Sequence, residues 1–140
     1  LWLASSAQAQ KELPLELLVI ETATDKHLFQ VEVVRTDAQR AIGLMWRERM
    51  DPDKGMLFDF KVERFVTMWM KNTSLSLDML FIAVDGRIAT IATHTTPYST
   101  ERIYSGVKVG AVLELLAGSA ERLGIAPGDL VRHSMFGDPS

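Results

Sequence analysis

The segment Trp69-Met70-Lys71-Asn72-Thr73, followed closely by Asp78, sets an aromatic ring, a cation, an amide, a hydroxyl and a carboxylate inside strand-like apolar sequence. Polar groups in such surroundings are costly unless they are paired or used. With Arg47 and Glu114 they suggest a binding pocket. Trp69 would supply a flat apolar wall, and Lys71 and Arg47 would attract a small polar or anionic ligand. Asn72, Thr73, Asp78 and Glu114 would orient it through hydrogen bonds. Catalysis would ask for more, because Asp78 and Glu114 would have to act as an acid-base pair with pKa values pushed apart by burial and by Lys71. No spacing of a nucleophile, a metal cage or a phosphate loop is present, so binding ranks above acid-base hydrolysis, and turnover stays an open question.

Each of these residues also has a purely structural explanation. Lys71 and Asp78 could form an ion pair closing the connection between them, and Asn72, Thr73 and Ser74 are ordinary turn formers. Trp69 could be a core residue whose indole N–H finds a carbonyl. Glu114, on an apolar strand, could be buried against Arg47 or Lys71, or could face a pocket. Seven methionines, at positions 45, 50, 56, 68, 70, 79 and 135, stand with His27, His94 and His133 as a conceivable set of soft copper(I) ligands. Most of these methionines fall in apolar patterns where Met fills core gaps. No metal site and no cofactor is therefore expected.

The elements that must position these residues are mostly strands. Residues 15–20 and 28–35 are apolar and alternating, and they should pair. Thr36-Asp37-Ala38-Gln39 reads as a capping box opening a short amphipathic helix. A Pro/Gly turn at residues 50–55 leads into Met56-Leu57-Phe58. Residues 64–71 alternate, with Val66, Met68 and Met70 on the core side. Residues 79–84 should form a central strand, joined through Asp85-Gly86 in a two-residue hairpin to residues 87–91. A strand around residues 111–115, a short helix over 117–123 ended by Gly124, and a last strand over 130–133 complete the reading. Short strands broken by turns, with two small helices, predict a mainly β single domain, a β-sandwich or jelly-roll-like barrel.

With 140 residues, 47% hydrophobic and 24% charged, the chain suits one domain with a real core. A net charge of −3 and the lack of a basic run argue against nucleic-acid partners. No apolar run approaches the roughly 18 residues of a membrane span. Leu1-Trp2-Leu3-Ala4 before Ser5-Ser6-Ala7-Gln8-Ala9-Gln10 resembles the end of a signal peptide with Ala7 and Ala9 at the inspected positions. Residues 1–13 are thus expected to be a signal remnant or disordered tail, 14–136 the β domain, and 137–140 a frayed end. A periplasmic or secreted location follows, and the absence of cysteine is compatible with it.

Gly43-Leu44-Met45, Gly55-Met56-Leu57-Phe58, Trp69-Met70-Lys71-Asn72-Thr73, Leu77-Asp78 through Ile82, Val112-Leu113-Glu114-Leu115 with Gly118, and Gly124-Ile125 with Gly128-Asp129 together resemble the domain of unknown function 192 family. The resemblance spans residues 29–133. It implies a small, largely β domain, often exported in bacteria, with no established activity. The expected function is thus binding of a small polar or anionic ligand near Trp69, with a protein-interaction or scaffold module as the alternative.

Overall fold

Alternating burial along two neighbouring strands sets the frame. The computed structural model describes residues 8–137. β1 (Leu15–Glu21) and β2 (Lys26–Val34) pair antiparallel from Leu15 opposite Glu32 to Glu21 opposite Lys26. The turn between them is held by the Thr22 hydroxyl, which accepts the Asp25 N–H at 3.1 Å. α1 (Asp37–Ile42) then starts on the capping box read from the sequence, Thr36 Oγ1 accepting the Gln39 N–H at 3.1 Å. The Gln39 side chain accepts the Thr36 N–H in return. Because α1 carries the chain across, β3 (Lys54–Met68) returns parallel to β2, with Glu32 beside Met56.

β3 and β6 (Ile103–Leu116) form the long antiparallel pair at the middle of the domain. β4 (Leu77–Ile82), β5 (Ile88–Ala92), α2 (Ser119–Leu123) and β7 (Leu130–Arg132) complete one seven-stranded sheet in the order β5-β4-β6-β3-β2-β1-β7. Its two ends approach each other. Ile88 N–H donates to Asp129 O at 2.9 Å and Val131 N–H to Gly86 O at 2.8 Å, with Arg87 bridging Leu130. The curled sheet is a half-barrel, so the mainly β single-domain expectation with two short helices holds in its barrel form.

Strand alternation divides the core between the two faces of this sheet. Leu18, Ile20, Val31, Leu57, Leu80 and Leu113 fill the inside. Met56, Phe58, Met79, Phe81, Val112 and Leu44 form a second cluster on the outer face, beneath α1 and the connections that follow it. Among the described residues no helix is long and apolar enough to cross a membrane. The expected signal remnant falls largely on residues 1–7, outside the described residues, as do 138–140. Residues 8–13 follow a coil path in which the Leu13 N–H donates to Glu32 at 2.8 Å.

Two local expectations need correction. The turn between β4 and β5, closed by the Ala83 N–H bond to Arg87 O at 2.8 Å, holds three residues, Val84 to Gly86, instead of two, with Gly86 N–H bonding Ala83 O at 2.9 Å. Gly86, at φ +93°, supplies the left-handed residue that closes such a turn. The strand expected over 64–71 stops at Met68. Met70 N–H turns away to Ser99 O at 2.9 Å, and Asn72 sits at φ +55°, which no strand can continue.

Candidate functional site

That early strand end creates the site. Released from β3, Trp69 to Thr73 bend toward the segment after α1, and bonds to that segment and to the β5–β6 connection hold them there. Trp46 N–H donates to Asn72 O at 2.8 Å, and Tyr98 N–H to Thr73 O at 3.0 Å. Ser74 Oγ donates to Arg47 O at 3.1 Å. Trp46, Asn72 and Tyr98 all have positive φ, an unfavourable conformation for such residues that the surrounding bonds maintain.

Between α1, β3 and this loop lies a cavity of about 340 Å³. Phe58, Phe60, Ile42, Leu44, Met45, Met68 and Trp69 supply its apolar walls, Thr67 and Thr73 its hydroxyls. Gly43 lets α1 close over the wall: a Cβ there would meet the Phe58 ring at 2.9 Å. Arg40, Arg64 and Lys71 also line the cavity, together with Asp37. Arg40 is held by Asp37 and donates to Asp59 O at 2.8 Å. Arg64 lies 4.7 Å from the centre of the Phe60 ring, and Lys71 lies 5.1 Å from that of Trp69, whose ring Arg102 also approaches, at 5.6 Å. These are cation-π distances.

Glu114 also lines the cavity and is 4% exposed. In register it stands between Met56 of β3 and Met79 of β4, both fully buried. Its carboxyl has no hydrogen-bond or ion-pair partner among the described residues. Burial alone pushes its pKa up from 4.5 to about 8, because desolvation disfavours the charged form. A neutral carboxyl with a free donor and free lone pairs is thus presented to the cavity at neutral pH.

The structure brings Trp69, Lys71, Thr73 and Glu114 together around this space and places the other candidates differently. Asn72 acts through its backbone turn, its side-chain amide lying 3.9 Å from Met45 Sδ. Arg47 pairs with Glu32, its Nη2 donating to Oε1 at 2.9 Å, so it neutralises neither Glu114 nor a ligand in the cavity. Asp78 is fully buried. It accepts the His94 N–H at 3.0 Å and the Ala120 N–H at 2.9 Å, and no ion pair with Lys71 forms among the described residues. It shares a face with Leu80 and Ile82 of the inner core, whereas Glu114 shares the outer face with Val112. Opposite faces of one sheet cannot supply an acid-base pair.

Asp78 thus ties the start of α2 to β4. Asp78→Asn is expected to cost about 2 kcal/mol, since the amide N–H₂ would face one of the two backbone donors. Urea denaturation checks this. Among the described residues no group of three or more His, Asp or Glu side chains is placed to hold a metal ion. The sequence reading passed over Arg40, Arg64, Phe58 and Phe60. Their signal was the alternation of Phe58, Phe60 and Arg64 along one strand, which shows a shared face only once the β3 irregularity after Asp59 is known.

A small half-barrel with a lateral cavity under its first helix is the class defined by these features. The chain belongs to the domain of unknown function 192 family, described as uncharacterised ACR, whose profile matches residues 19–133. A crystal structure from Sinorhizobium meliloti 1021, described as that of a candidate transcription regulator, is 46% identical with a TM-score of 0.87, over 90% of this chain and 98% of that one. A protein of unknown function from Novosphingobium aromaticivorans DSM 12444 is 36% identical with a TM-score of 0.84, over 86% of both chains. No curated protein matches the chain.

Proposed function

We propose that this domain binds a small polar or anionic ligand in the cavity between α1, β3 and the Trp69–Thr73 loop. The observation that carries this reading is Glu114, a buried carboxyl without a partner that opens into a cavity lined by cations and aromatic rings. A purely structural acid would be paired, as Glu32 is by Arg47. The balance of apolar wall and few polar groups is that of small-molecule sites. The net charge of −3 gives no support for extending the Sinorhizobium protein's description to direct DNA contact by this chain. Export to the periplasm or beyond the cell is part of the proposal, supported by the Ala7/Ala9 pattern.

A thermal-shift screen against sugars, small carboxylates and phosphates tests the reading. At a hundred times its dissociation constant a ligand stabilises by about 2.7 kcal/mol, which corresponds to a rise of roughly 5 to 10 °C for a domain of this size. The rise should disappear in Trp69→Ala and fall markedly in Lys71→Ala. A second reading, a protein-interaction module, draws on Leu15, Leu17 and Leu28, which are exposed on the β1–β2 ribbon. It predicts no shift with any compound, and unchanged folding in both variants.

A further inference from the structure

The charges around the cavity are complementary to one kind of molecule. Arg64 and Lys71 are exposed at its mouth and rest on aromatic faces without a carboxylate partner among the described residues. Glu114 is buried in its floor, also without a partner. A simple carboxylate would satisfy the mouth and leave Glu114 facing a ligand that offers it nothing. A simple amine would satisfy Glu114 but meet cations at the mouth. The volume of about 340 Å³ equals roughly ten water molecules, enough for a short aliphatic chain between two charged ends.

We propose that the ligand is a zwitterion, an amino acid whose ammonium group enters first and meets Glu114 while its carboxylate stays at the mouth with Arg64 and Lys71. This rests on the reading of the cavity as a ligand site. In the free protein the Glu114 carboxyl keeps its proton at neutral pH. When the ammonium arrives, that proton leaves to solvent and the carboxylate so formed pairs with the ligand. Binding therefore releases close to one proton and tightens as pH rises from 6 toward 8, approaching tenfold per pH unit. The charged groups that share the cavity with Glu114 are Asp37 and Arg40 of α1, Arg64 of β3 and Lys71. The flanking strands present Met56 and Met79 to Glu114, and neither titrates.

Titration calorimetry of the purified protein at pH 6, 7 and 8, in two buffers of different protonation enthalpy, tests this with γ-aminobutyrate, ε-aminocaproate, butyrate, caproate and n-butylamine. At least one amino acid should bind about tenfold or more tightly than its amine-free counterpart, with proton release. Glu114→Gln should remove both the advantage of the amino group and the proton release. Should that variant fail to fold, Arg64→Ala combined with Lys71→Ala should bring the amino acid down to the affinity of n-butylamine. If butyrate or caproate binds as tightly as the amino acids, with affinity falling as pH rises, the zwitterion is overturned and the anion-binding reading stands. If none of the five binds, this inference fails, and the thermal-shift screen decides whether the cavity takes another ligand or none.

Discussion

Glu114→Gln is expected to make the protein more stable than the wild type at pH 8 and above, and to remove a loss of stability that the wild type shows between about pH 4.5 and pH 8. Burial raises the Glu114 pKa from 4.5 to about 8, so across that window the folded chain holds a proton that the unfolded chain has released. Stability falls with rising pH wherever the folded state binds more protons. The contribution is fully present below 4.5, is lost as pH rises through the folded pKa, and is flat beyond it. The interval from 4.5 to about 8 corresponds to on the order of 5 kcal/mol. A glutamine has nearly the shape of the protonated acid and cannot ionise, so its profile should be level over the same range. Urea midpoints measured at pH 5, 6.5 and 8 decide the matter, and parallel profiles for the two proteins would sink it. Glu16, held below the usual carboxylate range chiefly by its hydrogen bond to Arg35, and Glu21, held there by Arg132, act in the opposite sense. Their contribution is present above about 4.5 and is lost as pH falls through their lowered values. Acid destabilisation from these two carboxylates should therefore appear in both proteins.

Glu114 also shows where sequence reading ends. Its place in the apolar run Val112-Leu113-Glu114-Leu115 was legible as an anomaly and the Thr36/Gln39 capping box as a helix start, because each depends on neighbours in sequence, whereas Asp85-Gly86 was legible as a turn but not in its length. The face on which an acid sits was not. Asp78 and Glu114 both interrupt apolar strands, but the register that aligns Met79 with Glu114 puts Asp78 beside Leu115 and on the other side of the sheet. A slip of one residue would have exchanged the faces. The cavity itself depends on the end of β3 at Met68 and on Ser99 capturing the Met70 N–H, a contact between distant segments that no local pattern encodes. Trp69, Lys71 and Thr73 were therefore recognisable as a cluster, while Arg40, Arg64 and Phe60 became its neighbours only through the crossover from β2 to β3.

The same crossover explains the second large effect expected here. Glu32 and Glu114 lie in one cross-strand row with Met56 between them, about 10 Å apart by ordinary strand spacing. Glu32 differs by having a cation: Arg47, carried over β2 by the chain that follows α1, pairs with it through two bonds, the side chains being only 11% and 8% exposed. Arg47→Ala should cost about 3 to 5 kcal/mol, most of it from leaving Glu32 charged and buried without a partner. Replacing both members, with Arg47→Met and Glu32→Leu, should restore stability to within about 1 to 2 kcal/mol of the wild type, because the desolvation cost vanishes with the charges. The remaining deficit would reflect the Leu13 N–H and the Gln10 carbonyl, which this pair also serves at 2.8 and 3.3 Å. A double-mutant cycle in urea separates the terms. If the double variant is as unstable as Arg47→Ala alone, Arg47 contributes through the packing of its side chain, and the electrostatic contrast between Glu32 and Glu114 no longer explains why one carboxyl is paired and the other is left facing the cavity.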